Sequence, residues 1–200
     1  MKRIVISTLL ATTLLLSNSS ANNSSINSTS KIVESYEKLA SQGEIEAMFN
    51  LGLIYLTGDG AKQDYTKAKE WFLKAANKND TMSAYNLALI YKNGLGVPKN
   101  DKEAYKYFLI AANKNYAQAQ YMLGTMVEKG QGAKKDLKEA FSWFLKAAKQ
   151  GHILSEYRVG KMYRLGEGVA KSDTEAKRWY ELSANKGNAF AQANLGVMYK

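Results

Sequence analysis

Apolar residues recur along this chain with helical spacing, in blocks separated by short polar, glycine-bearing gaps. Ala47, Leu51 and Tyr55 stand at i, i+4 and i+8, which marks one helix face. The same face returns as Ser83/Leu87/Tyr91, Ala119/Leu123/Val127 and Ser155/Val159/Tyr163. A second set, Ala68/Trp71/Ala76, returns as Ala104/Tyr107/Ala112, Ala140/Trp143/Ala148 and Ala176/Trp179/Ala184. Two helices per unit, A and B, are therefore predicted, with a period of 36 residues.

The glycines fix the punctuation. All 15 fall into four columns spaced by that period. Gly58, Gly94, Gly130 and Gly166 open a Gly-x-Gly loop that Gly60, Gly96, Gly132 and Gly168 close. Gly43, Gly151 and Gly187 share a column with Asn79 and Asn115, the two residue types that accept a left-handed backbone just past a helix end. Gly52, Gly124, Gly160 and Gly196 lie inside helix A, with Ala88 in the remaining slot. A mid-helix glycine costs about 1 kcal/mol relative to alanine, so its recurrence predicts a neighbouring helix backbone packed against it. After each Gly-x-Gly loop comes Asp64, Asn100, Asp136 or Ser172, all good N-caps. Glu103, Glu139 and Glu175 follow three residues later, the position that closes a capping box.

The expected architecture is all-α, a right-handed α-solenoid of helix-turn-helix units. Its boundaries are a leading half-unit over 31–43, repeats over 44–79, 80–115, 116–151 and 152–187, and a trailing half-repeat over 188–200. In that last helix Leu195, Met198 and Tyr199 have no helix B to cover them. The recurring aromatics read as core, so Trp71→Ala is expected to cost about 3–5 kcal/mol.

The first thirty residues carry no such pattern. Lys2 and Arg3 precede an uncharged run from Ile4 to Leu16, followed by small residues that include Ser19 and Ala21. This is the three-part form of a signal peptide over 1–21, with cleavage near Ala21 and a periplasmic or secreted destination. The run is shorter than the roughly 20 residues that span a bilayer, so no integral membrane span is expected after processing. Residues 22–30 form an Asn/Ser-rich spacer, expected to be disordered.

Composition then removes chemistries. The chain has no Cys and one His, which excludes disulfide scaffolds, thiolate zinc sites and cysteine nucleophiles. No catalytic residue, metal site or cofactor is expected. His152 opens a helix A and reads as a surface or capping residue. Glu44 and Glu46 sit two apart, off a common face, and read as partners of the helix dipole. Ser28-Lys31, Ser35-Lys38 and Ser183-Lys186 have the Ser-x-x-Lys spacing of serine β-lactamases, but no Ser-Asp-Asn or Lys-Thr-Gly accompanies them. The Gly-x-Gly loops lack the preceding strand of a nucleotide fold.

The formal charge is +10, and loss of Lys2 and Arg3 with the leader brings it to +8. That balance permits anionic partners. Its lysines are spread over all repeats, however, as in Lys67, Lys69, Lys74 and Lys78, which fits a solvated outer face. Export argues against nucleic acid.

The run Ala47, Leu51, Gly52, Tyr55, Gly58, Gly60, Asp64, Lys67, Ala68, Trp71, Lys74, Ala75 and Ala76 resembles the repeat of the Sel-one-like family, a relative of the tetratricopeptide repeats. The resemblance covers about residues 31–200. Ala88 for Gly, Val127 for Tyr and Ser183 for Ala are its mild departures. It implies a curved surface for binding other proteins, with helix A on the concave side. Cysteine-rich relatives have been described as binding or hydrolysing β-lactams. That leaves β-lactam activity, or an envelope protein for anionic glycan or lipid, as alternatives to a protein-interaction scaffold.

Columns that repeat faithfully build the architecture, and columns that vary are free to serve a partner. The varying helix-A columns are Asn50, Asn86, Met122, Arg158 and Asn194, and one turn on Leu53, Leu89, Thr125, Lys161 and Val197. They are expected to form a groove for a protein or peptide, apolar toward the first two repeats and basic toward the fourth.

Overall fold

The computed structural model describes residues 31–199. The expected leader and spacer, Ser28 and Lys200 lie outside the described residues. Ten helices follow one another among the described residues: α1 (31–41), α2 (Ile45–Thr57), α3 (Tyr65–Asn77), α4 (Thr81–Asn93), α5 (Asp101–Asn113), α6 (Ala117–Lys129), α7 (Leu137–Lys149), α8 (Ile153–Leu165), α9 (Asp173–Asn185) and α10 (Ala189–Met198). From α2 to α10 each helix packs on its neighbours in sequence, so the chain is an α-solenoid of pairs α2/α3, α4/α5, α6/α7 and α8/α9, with α10 in the helix-A position and α1, which buries Ala40 in the same core, in the helix-B position.

Local chemistry sets each boundary. Asp64, Asn100 and Asp136 each accept two backbone N–H bonds from the first turn of the helix they cap, and Ser172 accepts one from Glu175. Such a cap contributes about 1 kcal/mol. The capping box does not close. The cap residue's own N–H donates to a carbonyl of the preceding helix A, from Asp64 to Tyr55 and from Asn100 to Tyr91, both at 2.9 Å. With that donor taken, Glu139 accepts instead from the indole of Trp143 at 3.1 Å, and Glu103 and Glu175 pair with Lys106 and Arg178.

From B to the next A the chain turns in three residues. Asn79 takes φ 68° and Asn115 φ 63°, as their column required. The N–H of Asn79 donates to Ala76 and that of Asp80 to Ala75, the pair of bonds of a Schellman turn. Asp80 then caps α4 by accepting from Ser83 at 2.7 Å, so one residue ends a helix and starts the next.

The mid-helix glycines face first of all a ring of helix B, and at Gly160 also the expected helix backbone, the Ala176 carbonyl standing 3.1 Å from where its Cβ would be. A Cβ on Gly52 would sit 2.5 Å from the Phe72 ring, one on Gly124 2.7 Å from Phe144, and one on Gly160 2.8 Å from Tyr180. The glycine is a slot for a helix-B aromatic. At Gly196, in the last described helix, nothing stands within 4 Å. That aromatic column, Phe72, Phe108, Phe144 and Tyr180, is fully buried. The column beside it is less uniform. Tyr107, Trp143 and Trp179 are buried, but Trp71 is only partly so, with the Lys74 ammonium 3.9 Å from its ring centre. Trp71→Ala therefore costs less than a core truncation, and Phe72 carries the role expected of Trp71.

Candidate partner-binding surface

Helix A buries the face of Leu51, Leu87, Leu123 and Val159 against helix B. The opposite stripe is left to solvent, and the candidate columns lie on it. Asn50 and Leu53 fall on α2, Asn86 and Leu89 on α4, Met122 and Thr125 on α6, and Arg158 and Lys161 on α8, all partly buried. Asn194 and Val197 continue the row on α10, Val197 being exposed.

Their chemistry is more specific than their columns. Leu53, Leu89 and Met122 pack against the main apolar core cluster. Asn86 donates to the Met82 carbonyl at 2.9 Å, Thr125 to Tyr121 at 3.0 Å and Asn194 to Phe190 at 2.7 Å. The amide oxygens of Asn86 and Asn194 therefore remain as acceptors. Arg158 forms an ion pair with Glu128 of α6 and lies 5.2 Å from the Phe144 ring centre. The positive end of the stripe is thus partly neutralised from the neighbouring helix. Lys161 has no ion pair among the described residues.

Aromatic rings join successive A helices. Tyr85 meets Tyr116 edge-on at 5.1 Å, Tyr121 meets His152 at 5.0 Å, and Tyr157 meets Phe190 at 5.9 Å. Burial, with Tyr116 beside it, pushes the Tyr85 hydroxyl up to about 12. His152 is the N-cap of α8. Its Nδ1 accepts from the Ser155 N–H at 3.3 Å and lies 2.9 Å from the Ser155 hydroxyl. Burial holds its pKa below the ordinary imidazole value.

The loop glycines build joints. Gly58, Gly94, Gly130 and Gly166 are the left-handed C-caps of their A helices. Gly60 has positive φ as well, and Gly96, Gly132 and Gly168 press on the start of the preceding helix B. A Cβ on Gly96 would lie 2.6 Å from that of Tyr65, and at Gly132 and Gly168 it would collide with the carbonyls of Asp101 and Leu137.

Sequence reading missed two features of the interior. Helix A carries a polar pair at a buried column: Gln120 in the third repeat and Glu156 in the fourth, where the first two repeats have Met48 and Ala84. Gln120 accepts from Gln150 at 2.7 Å, and Glu156 pairs with Lys186. Those partners stand thirty residues apart, a separation readable only through the repeat geometry. The Ser-x-x-Lys pair at Ser183 is engaged otherwise, because the Ser183 hydroxyl donates to Ile153 at 2.8 Å and Lys186 turns to Glu156 and the Gly151 carbonyl. Ser35 is exposed on α1. Among the described residues no group of three or more His, Asp or Glu gathers to hold a metal, and no helix is long and apolar enough to cross a membrane.

A stack of helix pairs with this punctuation defines a helical repeat scaffold. The Sel1 repeat model matches residues 45–80, 81–116, 117–152, 153–188 and 189–200, and the chain belongs to that family. Among solved structures it is similar to c5321, a protective antigen of uropathogenic Escherichia coli strains with an SLR fold, at 37% identity and TM-score 0.81. That match covers 84% of this chain and 36% of the other, so this chain spans little more than a third of its relative. A Sel1 repeat protein from Oxalobacter formigenes matches at 30% identity and TM-score 0.77, over 87% of this chain and 74% of that one. Cysteine rich protein B of Helicobacter pylori matches at 25% identity and TM-score 0.53, over 66% and 96%. No curated protein sequence gave a match.

Proposed function

We propose that this chain is an exported, non-catalytic protein-interaction scaffold whose A-helix stripe receives a peptide or a protein segment. One observation carries the reading. Most buried columns of helix A, such as Leu51/Leu87/Leu123/Val159, hardly change between repeats, the Met48/Ala84/Gln120/Glu156 column excepted, while the half-buried columns opposite change from Asn50 to Arg158 and from Leu53 to Lys161. A surface that repetition leaves unconstrained, on a frame that repetition holds fixed, is suited to recognition rather than to turnover. Similarity to a protective antigen agrees with display outside the cytoplasm. Absence of cysteine and the engagement of Ser183 and Lys186 weigh against the β-lactam alternative.

The test is affinity capture from the cell envelope of the source organism. The bait is the protein, and its control is the combined Asn50→Ala, Asn86→Ala, Met122→Ala, Arg158→Ala variant. A partner retained by the first and lost by the second is the expected result. Equal capture by both would remove the stripe from the reading. Binding that collapses as salt is raised would favour an anionic glycan or lipid.

A further inference from the structure

We infer that α8 is the seat for an acidic amphipathic segment of a partner protein, one that alternates aliphatic or aromatic side chains with Asp or Glu. The inference rests on the scaffold reading and places its strongest contact. Leu154, Arg158, Lys161 and Leu165 stand at i, i+4, i+7 and i+11, a single stripe along α8. Leu154 is 46% exposed although α6 and α10 flank its helix, and Leu165 is 47% exposed. Phe190, one repeat on from Leu154, is 69% exposed and touches Tyr157.

The other A helices offer no such combination. Leu53 of α2 and Leu89 of α4 are drawn into the core cluster, and α6 carries Gln118 and Thr125 at the positions of Leu154 and Lys161. From α2 to α8, exposed apolar groups and cations of the stripe coincide on α8, and Phe190 and Val197 carry the apolar part on to α10, instead of the two lying at opposite ends of the row as the sequence suggested.

Charge selects the occupant. Lys161 has no carboxylate in ion-pair range among the described residues, and Lys129 is exposed on the adjoining α6. Arg158 is held by Glu128 and backed by the Phe144 ring, so its guanidinium is presented in a fixed place. Fixed and free cations between two half-exposed leucines complement carboxylates set between apolar anchors. A membrane surface is a poorer match to α8 itself, because both of its leucines are half covered and Arg158 is already paired with Glu128.

The experiment is selection of a random twelve-residue peptide library on the protein, followed by affinities of the enriched peptides for single variants. Enrichment of peptides combining Asp or Glu with Leu, Ile, Phe or Trp is expected. Lys161→Glu should weaken them at least ten-fold and Leu154→Ser at least five-fold. Lys102→Glu, an exposed helix-B cation away from the stripe, should change them less than two-fold. Circular dichroism of each variant reports the fold. Enriched peptides without acidic bias, or indifferent to Lys161→Glu and Leu154→Ser, overturn the seat on α8 and leave the scaffold reading standing. A library with no enrichment overturns both. Binding to phosphatidylglycerol vesicles that Lys161→Glu abolishes, in a protein that takes no peptide, overturns the inference in favour of a lipid surface.

Discussion

The third and fourth repeats share one frame and fill it with different polar chemistry. In both, a helix-B aromatic enters a helix-A glycine slot, Phe144 over Gly124 and Tyr180 over Gly160. In both, a polar side chain of helix A is buried. The third repeat answers it with a neutral network, in which the Gln150 amide donates to Gln120 and to Asn115. The fourth answers it with charge, in which Lys186 meets Glu156 and the Gly151 carbonyl. The indole of Trp143 donates to Glu139, whereas that of Trp179 is buried without a hydrogen-bond partner. The apolar frame tolerates such exchanges because each is local: the partner column carries Lys78, Lys114 and Lys186, and it changes to Gln150 in the third repeat, where Gln120 faces it. Burying a carboxylate alone would cost several kcal/mol.

The comparison breaks first at the aromatic slot. Phe144→Ala and Tyr180→Ala are each expected to cost about 3–5 kcal/mol, read by urea denaturation. A cost below about 1 kcal/mol for Tyr180→Ala would mean that the two frames are not equivalent. Next comes the polar pair. Lys186→Ala should cost about 2–3 kcal/mol by leaving Glu156 buried without its cation, and Gln150→Ala about 1 kcal/mol. Converting the fourth repeat to the chemistry of the third, with Glu156→Gln and Lys186→Gln together, should recover most of the loss. If the double variant is no better than Lys186→Ala, the two positions are not coupled.

Smaller still is the slot itself. Gly124→Ala and Gly160→Ala should each cost about 1–2 kcal/mol, because the crowding against the ring exceeds the gain in helix propensity. Stabilisation by either would show that the ring yields freely. Least of all is the cap of α8. The neutral His152 ring accepts from Ser155, and burial lowers its pKa. Its contribution is full above the free-imidazole value near 6.5 and is lost as pH falls through the lower folded value. Relative to His152→Asn, which keeps the cap as Asn188 does in α10, the wild type should lose about 1 kcal/mol between pH 7.5 and pH 4.5. Parallel pH profiles would remove the histidine from the cap.

Much of this frame was legible in the residues alone. Asp64, Asn100, Asp136 and Ser172 cap where their column placed them, and Asn79 and Asn115 take the left-handed turn. These features are local, set by one residue and its neighbours. What escaped depends on contacts between helices. Trp71 and Phe72 are adjacent and both apolar, and only the packed unit shows that Phe72 faces Gly52. The capping box stayed open because the Tyr55 carbonyl claims the Asp64 N–H. On the variable helix-A stripe the columns were visible but their net charge was not, since Glu128 of α6 reaches Arg158 of α8.

The loop glycines have a consequence for how such an array can grow. Gly132 and Gly168 leave no clearance against the start of helix B in the repeat before, so each joint is shared between two adjacent units. A tandem copy of the third or fourth repeat would meet the same glycine fit at its new seams, though not the same side-chain pairs, since Glu128 with Arg158 belongs to one seam alone. Lengthening by in-frame duplication therefore keeps the backbone joint and leaves side-chain pairs between A helices to be readjusted. The new copy would lengthen the variable helix-A stripe by one helix, free at once to diverge in sequence on its own.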